Sequence, residues 1–230
     1  PLEDVAKPKI GMRTSDNKRF LRQWSEVSFQ NLELRCTDAQ EAANTESKWF
    51  PYNKGGGCRK WYGNQDFVVN WKNDGKEVKE LTRKKYPSLG DNLGWKISNE
   101  EEYFNEGITW SDVSSGDFGC RYTPRGFLFD VSGSSAFPDE GDLYYVLAYL
   151  NSSVVSHILY ALNPTMHYQV GDLRQLPVKR PDNSFKDYVS KIARRSKTIA
   201  KKDQFSREIS WGFDQHPFTK YEAPTLEATY

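Results

Sequence analysis

The sequence predicts an α+β fold, in which a β-rich region of short, twisted strands and loops is followed by helices that pack on it. Three short β-prone runs lie between residues 103 and 137, separated by Gly, Ser, Asp and Pro. Apolar residues then repeat at helical spacing from about residue 142 to 162, and again from about residue 185 to 202. Strands that precede helices along the chain are typical of the α+β class.

The N-terminal part of the chain alternates polar turns with aromatic anchors. In residues 5–35, the spacing of Phe20, Leu21 and Trp24 predicts a short helix or a strand. Residues 36–47 carry no such periodicity, and we expect them to form a polar connector.

Residues 48–72 are predicted to form two strands around a Gly-rich loop, residues 54–60, which contains three consecutive glycines. Asp74-Gly75 is a turn signal. A charged helix is predicted over residues 76–86, and Pro87 should stop it.

The C-terminal half contains the two clearest helices. The first, about residues 142–162, can be capped by Asp139 or Asp142 and should end at Asn163-Pro164. We expect residues 1–180 to form the main domain and residues 181–230 a basic helical segment. The second helix should bury a face made of Phe185, Tyr188, Val189, Ile192 and Ile199.

Composition limits the class of protein. No stretch approaches the roughly 18 apolar residues of a membrane span, and no signal peptide opens the chain. The three cysteines are far apart and have no metal-ligand spacing, so we expect reduced thiols and a cytoplasmic location. The first residue is Pro1 and the last residues are polar, so we expect the chain to be cut from a longer polypeptide.

The distribution of charge is more informative than its sum. The net charge is only +1, but basic residues crowd at positions 54–60, 79–85 and 191–202. The Gly-rich loop is either an ordinary hairpin turn or a place where phosphates approach a backbone without Cβ atoms. The basic run at 191–202 is either a solvated helix face or a contact for a nucleic-acid backbone.

No residue is predicted to be catalytic or to hold a metal. Asn163-Pro164-Thr165-Met166 lacks the second Pro and the aromatic of an adenine-methyltransferase motif, so a helix stop is the better interpretation. The set Asp66, Glu77 and Lys79 is similar to the acidic pair and lysine of Mg²⁺-dependent nucleases, but such short patterns are common by chance. The glycines do not form a loop that binds a dinucleotide or S-adenosylmethionine.

Several motifs together resemble one known family. Gly11-Met-Arg-Thr-Ser-Asp-Asn-Lys-Arg-Phe-Leu-Arg22 is similar to the start of the specificity domain of BREX-type adenine-specific DNA methyltransferases, and more loosely to type IIG restriction-methyltransferases. Lys48-Trp-Phe-Pro-Tyr-Asn-Lys-Gly-Gly-Gly57 resembles the most specific block of that family. Ser15 stands where the family has Gly. If that position has positive φ, the serine must tolerate strain.

The resemblance implies a target-recognition domain within a larger enzyme that moves a methyl group from S-adenosylmethionine to adenine N6 in phage defence. The catalytic domain would precede this segment, which itself would need no cofactor. The implied partners are duplex DNA, other BREX subunits and acidic DNA-mimic phage inhibitors.

Residue chemistry and loop position then give two groups of candidates. The expected readers of base edges are Arg13, Thr14, Asn17, Arg59, Lys60, Trp61, Asn64, Arg121 and Arg125. The expected phosphate contacts are Lys54, Lys84, Lys85, Arg194, Arg195 and Lys197. Two other functions compete with this one: a protein-interaction module of a defence complex, and a Mg²⁺-dependent nuclease fragment.

Overall fold

The computed structural model describes residues 1–139, 141–220 and 225. Within them the chain forms two four-stranded sheets. The strands are β1 (Pro8–Lys9), β2 (Leu21–Gln23), β3 (Trp49–Asn53), β4 (Phe67–Asn70), β5 (Gly107–Trp110), β6 (Cys120–Thr123), β7 (Leu128–Phe129) and β8 (Ser135–Ala136). The helices are α1 (Glu3–Ala6), α2 (Asn17–Phe20), α3 (Ala39–Asn44), α4 (Lys72–Lys85), α5 (Leu143–Leu150), α6 (Ser153–Leu162), α7 (Val170–Arg174) and α8 (Asn183–Phe205). The predicted α+β class is confirmed.

The two sheets differ in how their strands pair. The first has the order β1-β8-β5-β6 and is antiparallel throughout. The second has the order β2-β4-β3-β7, with β3 and β7 parallel and the other pairs antiparallel. The predicted hairpin around the Gly-rich loop is confirmed, because Phe50 of β3 pairs with Val69 of β4.

Each sheet has its own apolar core. The first sheet packs against α5 and α6, and Trp110, Leu147 and Leu159 are buried there. The second core gathers large aromatic side chains, among them Trp71 and Phe104. Polar side chains are buried as well, so the folded chain must give them hydrogen-bond partners.

The single helix predicted for residues 142–162 is wrong. The chain forms α5 and α6, bent by 63°. The break has a physical cause: the buried side chain of Asn151 accepts from the Cys120 amide at 3.0 Å and donates to the Cys120 carbonyl at 3.0 Å. It thereby satisfies the backbone of β6, which lies at the edge of its sheet. Among the described residues, no single helix is long and apolar enough to cross a membrane.

The second predicted helix is confirmed as α8, but its expected orientation is wrong. Phe185, Tyr188, Ile192 and Ile199 are exposed, and the side chains that α8 buries are Ala193 and Gln204. Ala193 is small, so α8 approaches α5 closely enough for Arg194 to stack on the ring of Tyr144, 3.8 Å from its centroid. The periodicity therefore identified the helix but not the face that packs.

Three smaller expectations can also be compared with the structure. The predicted connector at 36–47 contains α3, which Asp38 caps by accepting from the Glu41 amide at 2.9 Å. The turn signal at Asp74-Gly75 is confirmed, since both residues have positive φ before the regular part of α4. The division at residue 180 stays a prediction.

Glycine at position 133 is required by close packing of the backbone. A Cβ there would lie 2.7 Å from the Asn53 carbonyl carbon, and nothing flexible can move aside. We expect Gly133→Ala to lower the free energy of unfolding by about 2 kcal/mol or more, measured by urea denaturation. Gly57→Ala is the matched control, since a Cβ at Gly57 meets nothing within 4 Å. Equal stability of the two variants would contradict this account.

Candidate nucleic-acid interface

The loop segment, residues 54–64, connects β3 to β4 through an irregular path. Gly55, Gly56 and Gly63 have φ of +86°, +128° and +128°, a region that favours glycine. Trp61 and Asn64 share this left-handed region, with φ of +74° and +55°. A bulky aromatic residue is strained there, and such strain persists only where surrounding contacts enforce it.

The second half of the loop segment is bound to the edge of the first sheet. The Trp61 amide donates to the Cys120 carbonyl at 2.8 Å, and the Tyr122 amide donates to the Trp61 carbonyl at 2.9 Å. Trp61 thus pairs with β6 in a short parallel bridge. The Gly-rich loop therefore cannot be a freely moving hairpin tip, because its far end is held in a sheet.

The first half of the loop segment is held by a buried carboxylate. The Lys54 ammonium contacts Asp130 Oδ1 at 2.8 Å and Ser132 Oγ at 3.2 Å. Asp130 is 2% exposed and also accepts from the Tyr52 hydroxyl at 2.8 Å. Burial, together with the negative charge of Asp130, raises the pKa of Tyr52, which therefore stays neutral and donates.

Helix α8 places cations and rings beside the loop segment. Lys197 lies 4.4 Å from the ring centroid of Tyr122 and bonds to the Tyr144 hydroxyl at 3.0 Å. Tyr122 and Tyr144 stack with their centroids 5.9 Å apart. Lys201 lies 5.8 Å from the ring of Tyr62. We call this the loop–helix surface, and its members are Arg59, Lys60, Trp61, Tyr62, Tyr122, Tyr144, Arg194, Lys197 and Lys201.

The acidic side chain of Glu106 also lies beside this cationic surface. Glu106 accepts from the Tyr122 hydroxyl, and burial together with that hydrogen bond raises the pKa of Tyr122. The phenol is therefore neutral at pH 7 and donates its proton to the Glu106 carboxylate. Cations next to aromatic faces are typical of surfaces that bind nucleic acids.

A second basic region, the N-terminal turn surface, consists of residues 13–19 and the end of α4. The Lys85 ammonium donates to the Ser15 carbonyl at 2.8 Å and so holds the turn against the helix. Ser15 has φ of +65°, so this position does need the conformation that glycine favours. Its hydroxyl lies 3.0 Å from the Thr82 hydroxyl, and this hydrogen bond compensates part of the strain.

The expected candidates differ in their access to a ligand. Two expected base readers are buried: Thr14 and Arg121 are each 1% exposed. In this conformation neither contacts DNA, and this is at odds with their expected role. The exposed candidates are Asn17, Lys84, Lys85, Arg125, Arg194 and Arg195. The half-buried candidates are Arg13, Lys54, Arg59, Lys60, Trp61, Asn64 and Lys197.

Some accessible candidates already have partners within the protein. Lys60 donates to the Asn151 carbonyl at 3.1 Å, and the Asn64 amide donates to the Gly57 carbonyl at 2.8 Å. Lys54 is in an ion pair, which differs from the free phosphate contact that we expected. These three residues primarily shape the loop segment.

Sequence patterns alone missed Tyr144 and Lys201. Tyr144 lies on the apolar helix α5, where periodicity assigns it to the core. Lys201 falls within the basic run at 191–202, but its proximity to Tyr62 depends on long-range packing. The signal that could have found Tyr144 is the pairing of a basic helix with an aromatic side chain of another helix. The ring beside Lys201 belongs to Tyr62 of the loop segment, so no helix pattern indicates that contact.

The alternative catalytic motifs do not assemble. Asn163 ends α6, and its side chain bonds to Asp172 at 3.0 Å, which confirms the helix stop. Lys79 pairs with Asp74 and Glu100, both at 2.7 Å, and Glu77 pairs with Arg19 at 3.0 Å. The hydrogen bond from Arg19 lowers the pKa of Glu77. None of these three ion pairs includes Asp66. Within the described ranges, no three His, Cys, Asp or Glu side chains could share a metal.

The fold and the surface together define an α+β module with two basic surfaces, one of which also contains aromatic side chains. No family model matches the chain. The chain is 38% identical over 214 residues to the adenine-specific methyltransferase PglX of Lacticaseibacillus casei (strain Zhang). The match covers 92% of the chain and 17% of that relative. The chain is 35% identical over 206 residues to the adenine-specific methyltransferase BrxX of Escherichia coli O9:H4 (strain HS), covering 88% of the chain and 15% of the relative.

The chain therefore spans less than a fifth of the length of these curated relatives. It is similar to one segment of much longer adenine-specific methyltransferases. The resemblance found in the sequence is thereby confirmed, and the role of this segment within such enzymes stays a prediction.

The Lys54–Asp130 pair should stabilise the fold. We expect Lys54→Met to lower the free energy of unfolding by about 2 kcal/mol, because Asp130 stays buried without its cation while Lys54 itself is partly solvated. Urea denaturation measures this change. The exposed Lys84→Met is the matched control and should change stability by under about 0.5 kcal/mol. A stable Lys54→Met protein would show that Tyr52 and Ser132 suffice to hold the carboxylate.

Proposed function

We propose that this chain recognises duplex DNA as the specificity segment of an adenine-N6 DNA methyltransferase in BREX phage defence. The observation that carries the proposal is the loop–helix surface, in which the loop segment contacts the basic helix α8 through Tyr62. Similarity to segments of two adenine-specific methyltransferases supports the same function.

The chemistry of the surface fits a duplex. Glycines let a phosphate approach the backbone, and the ammonium and guanidinium groups of α8 neutralise it. Arginine side chains donate two parallel hydrogen bonds to the edge of guanine in the major groove. We therefore assign base reading to the accessible Arg13, Asn17, Arg59 and Arg125, and phosphate contacts to Lys84, Lys85, Arg194, Arg195 and Lys197.

Methyl transfer in this proposal belongs to the part of the larger protein that corresponds to the rest of the relatives. That part would bind S-adenosylmethionine and receive the flipped adenine, while this chain sets where on the DNA the enzyme stops. Acidic DNA-mimic inhibitors would compete with DNA for the same basic surfaces. Other defence subunits would extend these surfaces or compete for them.

Binding should depend steeply on salt. With the five phosphate contacts assigned above, the dissociation constant should rise roughly 500-fold between roughly 50 and 200 mM monovalent salt. Fluorescence anisotropy of a labelled random-sequence duplex, titrated with the chain, measures this change. A neutral polymer of similar size serves as the competitor control.

No binding at low salt would contradict DNA recognition by this chain. It would favour a protein-interaction module, for which α8 offers one specific observation. Phe185, Tyr188, Ile192 and Ile199 are 53%, 65%, 48% and 60% exposed and recur at the spacing of a helix–helix seam.

Substitutions of two arginines of the loop–helix surface, Arg59 and Arg194, can distinguish base reading from phosphate contact. We expect Arg59→Ala to cost roughly 1–3 kcal/mol on the preferred site and to relax specificity at one base pair. Arg194→Ala should weaken all sequences alike and reduce the salt slope by about one. Selection from a randomised duplex pool, followed by anisotropy on the selected site, distinguishes them. Uniform weakening by Arg59→Ala would reassign that residue to the phosphates.

A further inference from the structure

Arg121 occupies an unusual environment for a cation. It lies on β6, is 1% exposed, and reaches Ser111 Oγ only at 3.5 Å. Among the described residues, its Nε and Nη1 have no hydrogen-bond partner. A buried guanidinium normally has a carboxylate partner or several acceptors, since an unpaired buried charge is costly.

The surroundings of Arg121 do not supply the missing charge. Burial, with a smaller contribution from the nearby cation Arg59, lowers its pKa to about 10. The thiol of Cys120 is no counter-ion, because burial raises the pKa of that thiol and keeps it neutral. Asp66 attracts the guanidinium only at longer range. The group nevertheless remains charged at pH 7, with donors that this conformation does not use.

The loop segment passes directly beside this residue. Trp61 is its bridge partner on one side, and Gly55 approaches Ser111 on the other. Cys58, Arg59 and Lys60 lie against Gly119, two residues before Arg121. The element that encloses the unpaired guanidinium is therefore the same strained, glycine-containing segment that forms the loop–helix surface.

We propose that Arg121 is a concealed DNA ligand, which donates to acceptor atoms of the duplex once the loop segment shifts on binding. The acceptors are phosphate oxygens or the O6 and N7 atoms of a guanine, both of which match guanidinium donors. This inference rests on the proposed DNA recognition and adds a residue that the closed surface hides.

Removing the guanidinium should separate stability from binding. We expect Arg121→Met to raise the melting temperature by about 2–4 °C, because an unpaired buried charge is replaced by an apolar chain. The same substitution should weaken DNA binding about 5- to 150-fold. The exposed Arg180→Met is the matched control and should change neither quantity. A lower melting temperature with unchanged affinity would mean that Arg121 is merely structural.

A reversible disulfide cross-link, called the lock below, tests whether the loop segment must move for DNA to bind. A Cβ at position 119 would lie 3.2 Å from Cys58 Sγ, which is close to the distance between Cβ of one cysteine and Sγ of the other in a disulfide. Gly119→Cys should therefore cross-link the loop segment to the residue before β6. Peptide mapping verifies the link. The oxidised variant should lose as much affinity as Arg121→Met, and dithiothreitol should restore it. Gly119→Ala controls for crowding without a cross-link.

The outcomes separate the two proposals. If the wild-type chain binds no DNA, the proposed function fails and this inference falls with it. If it binds and both the oxidised lock and Arg121→Met bind equally well, only the inference is overturned. If Arg121→Met weakens binding equally on every duplex, phosphate is the acceptor. If it relaxes the sequence specificity at one position of a selected pool, guanine is the acceptor.

Discussion

The carboxylate of Asp130 is the interaction on which the arrangement of the two sheets depends. It directly follows β7 of the second sheet and precedes β8 of the first, so the chain crosses between sheets at this residue. Its Oδ1 accepts from Lys54 and from the Ser132 amide, each at 2.8 Å, and its backbone amide donates to Asn53 at 2.9 Å. A buried charge satisfied from both directions fixes the crossing and the start of the loop segment together.

This constraint explains why basic and aromatic side chains lie together near the loop segment. Two apolar cores form on either side of the crossing. Between them the backbone must pass closely, so small and polar residues such as Gly133 and Ser132 are needed. The loop segment leaves this seam with one end held by Asp130 and the other by β6. Its cations therefore lie on a segment that is held at both ends rather than on a free loop.

Local signals in the sequence predicted strands β3 to β6 and helices α4 and α8, and long-range contacts decided the rest. The aromatic and β-branched runs of these strands depend on neighbouring residues, so they were predictable, whereas Asp142 stands at the start of α5 without a side-chain cap bond. The break at Asn151 depends on the backbone of Cys120, and nothing in the apolar periodicity signals it. Likewise, residue type placed Arg121 on the surface, whereas its burial follows from how residues 55–61 lie on β6.

Strain and unpaired charge occur at the same place, which favours a functional cause over an accident of packing. A left-handed Trp61 costs roughly 1–2 kcal/mol, and the enclosed guanidinium of Arg121 adds a desolvation cost. Both costs disappear if the loop segment moves, while the bonds of Lys54, Lys60 and the Trp61 backbone oppose that movement. The free energy released as strain and desolvation offsets part of the free energy lost with these bonds. A ligand that binds the conformation with the loop segment displaced needs to supply only the remaining difference. Under the proposal that the chain binds DNA, a small differential affinity would therefore suffice to couple that contact to a rearrangement of the loop segment.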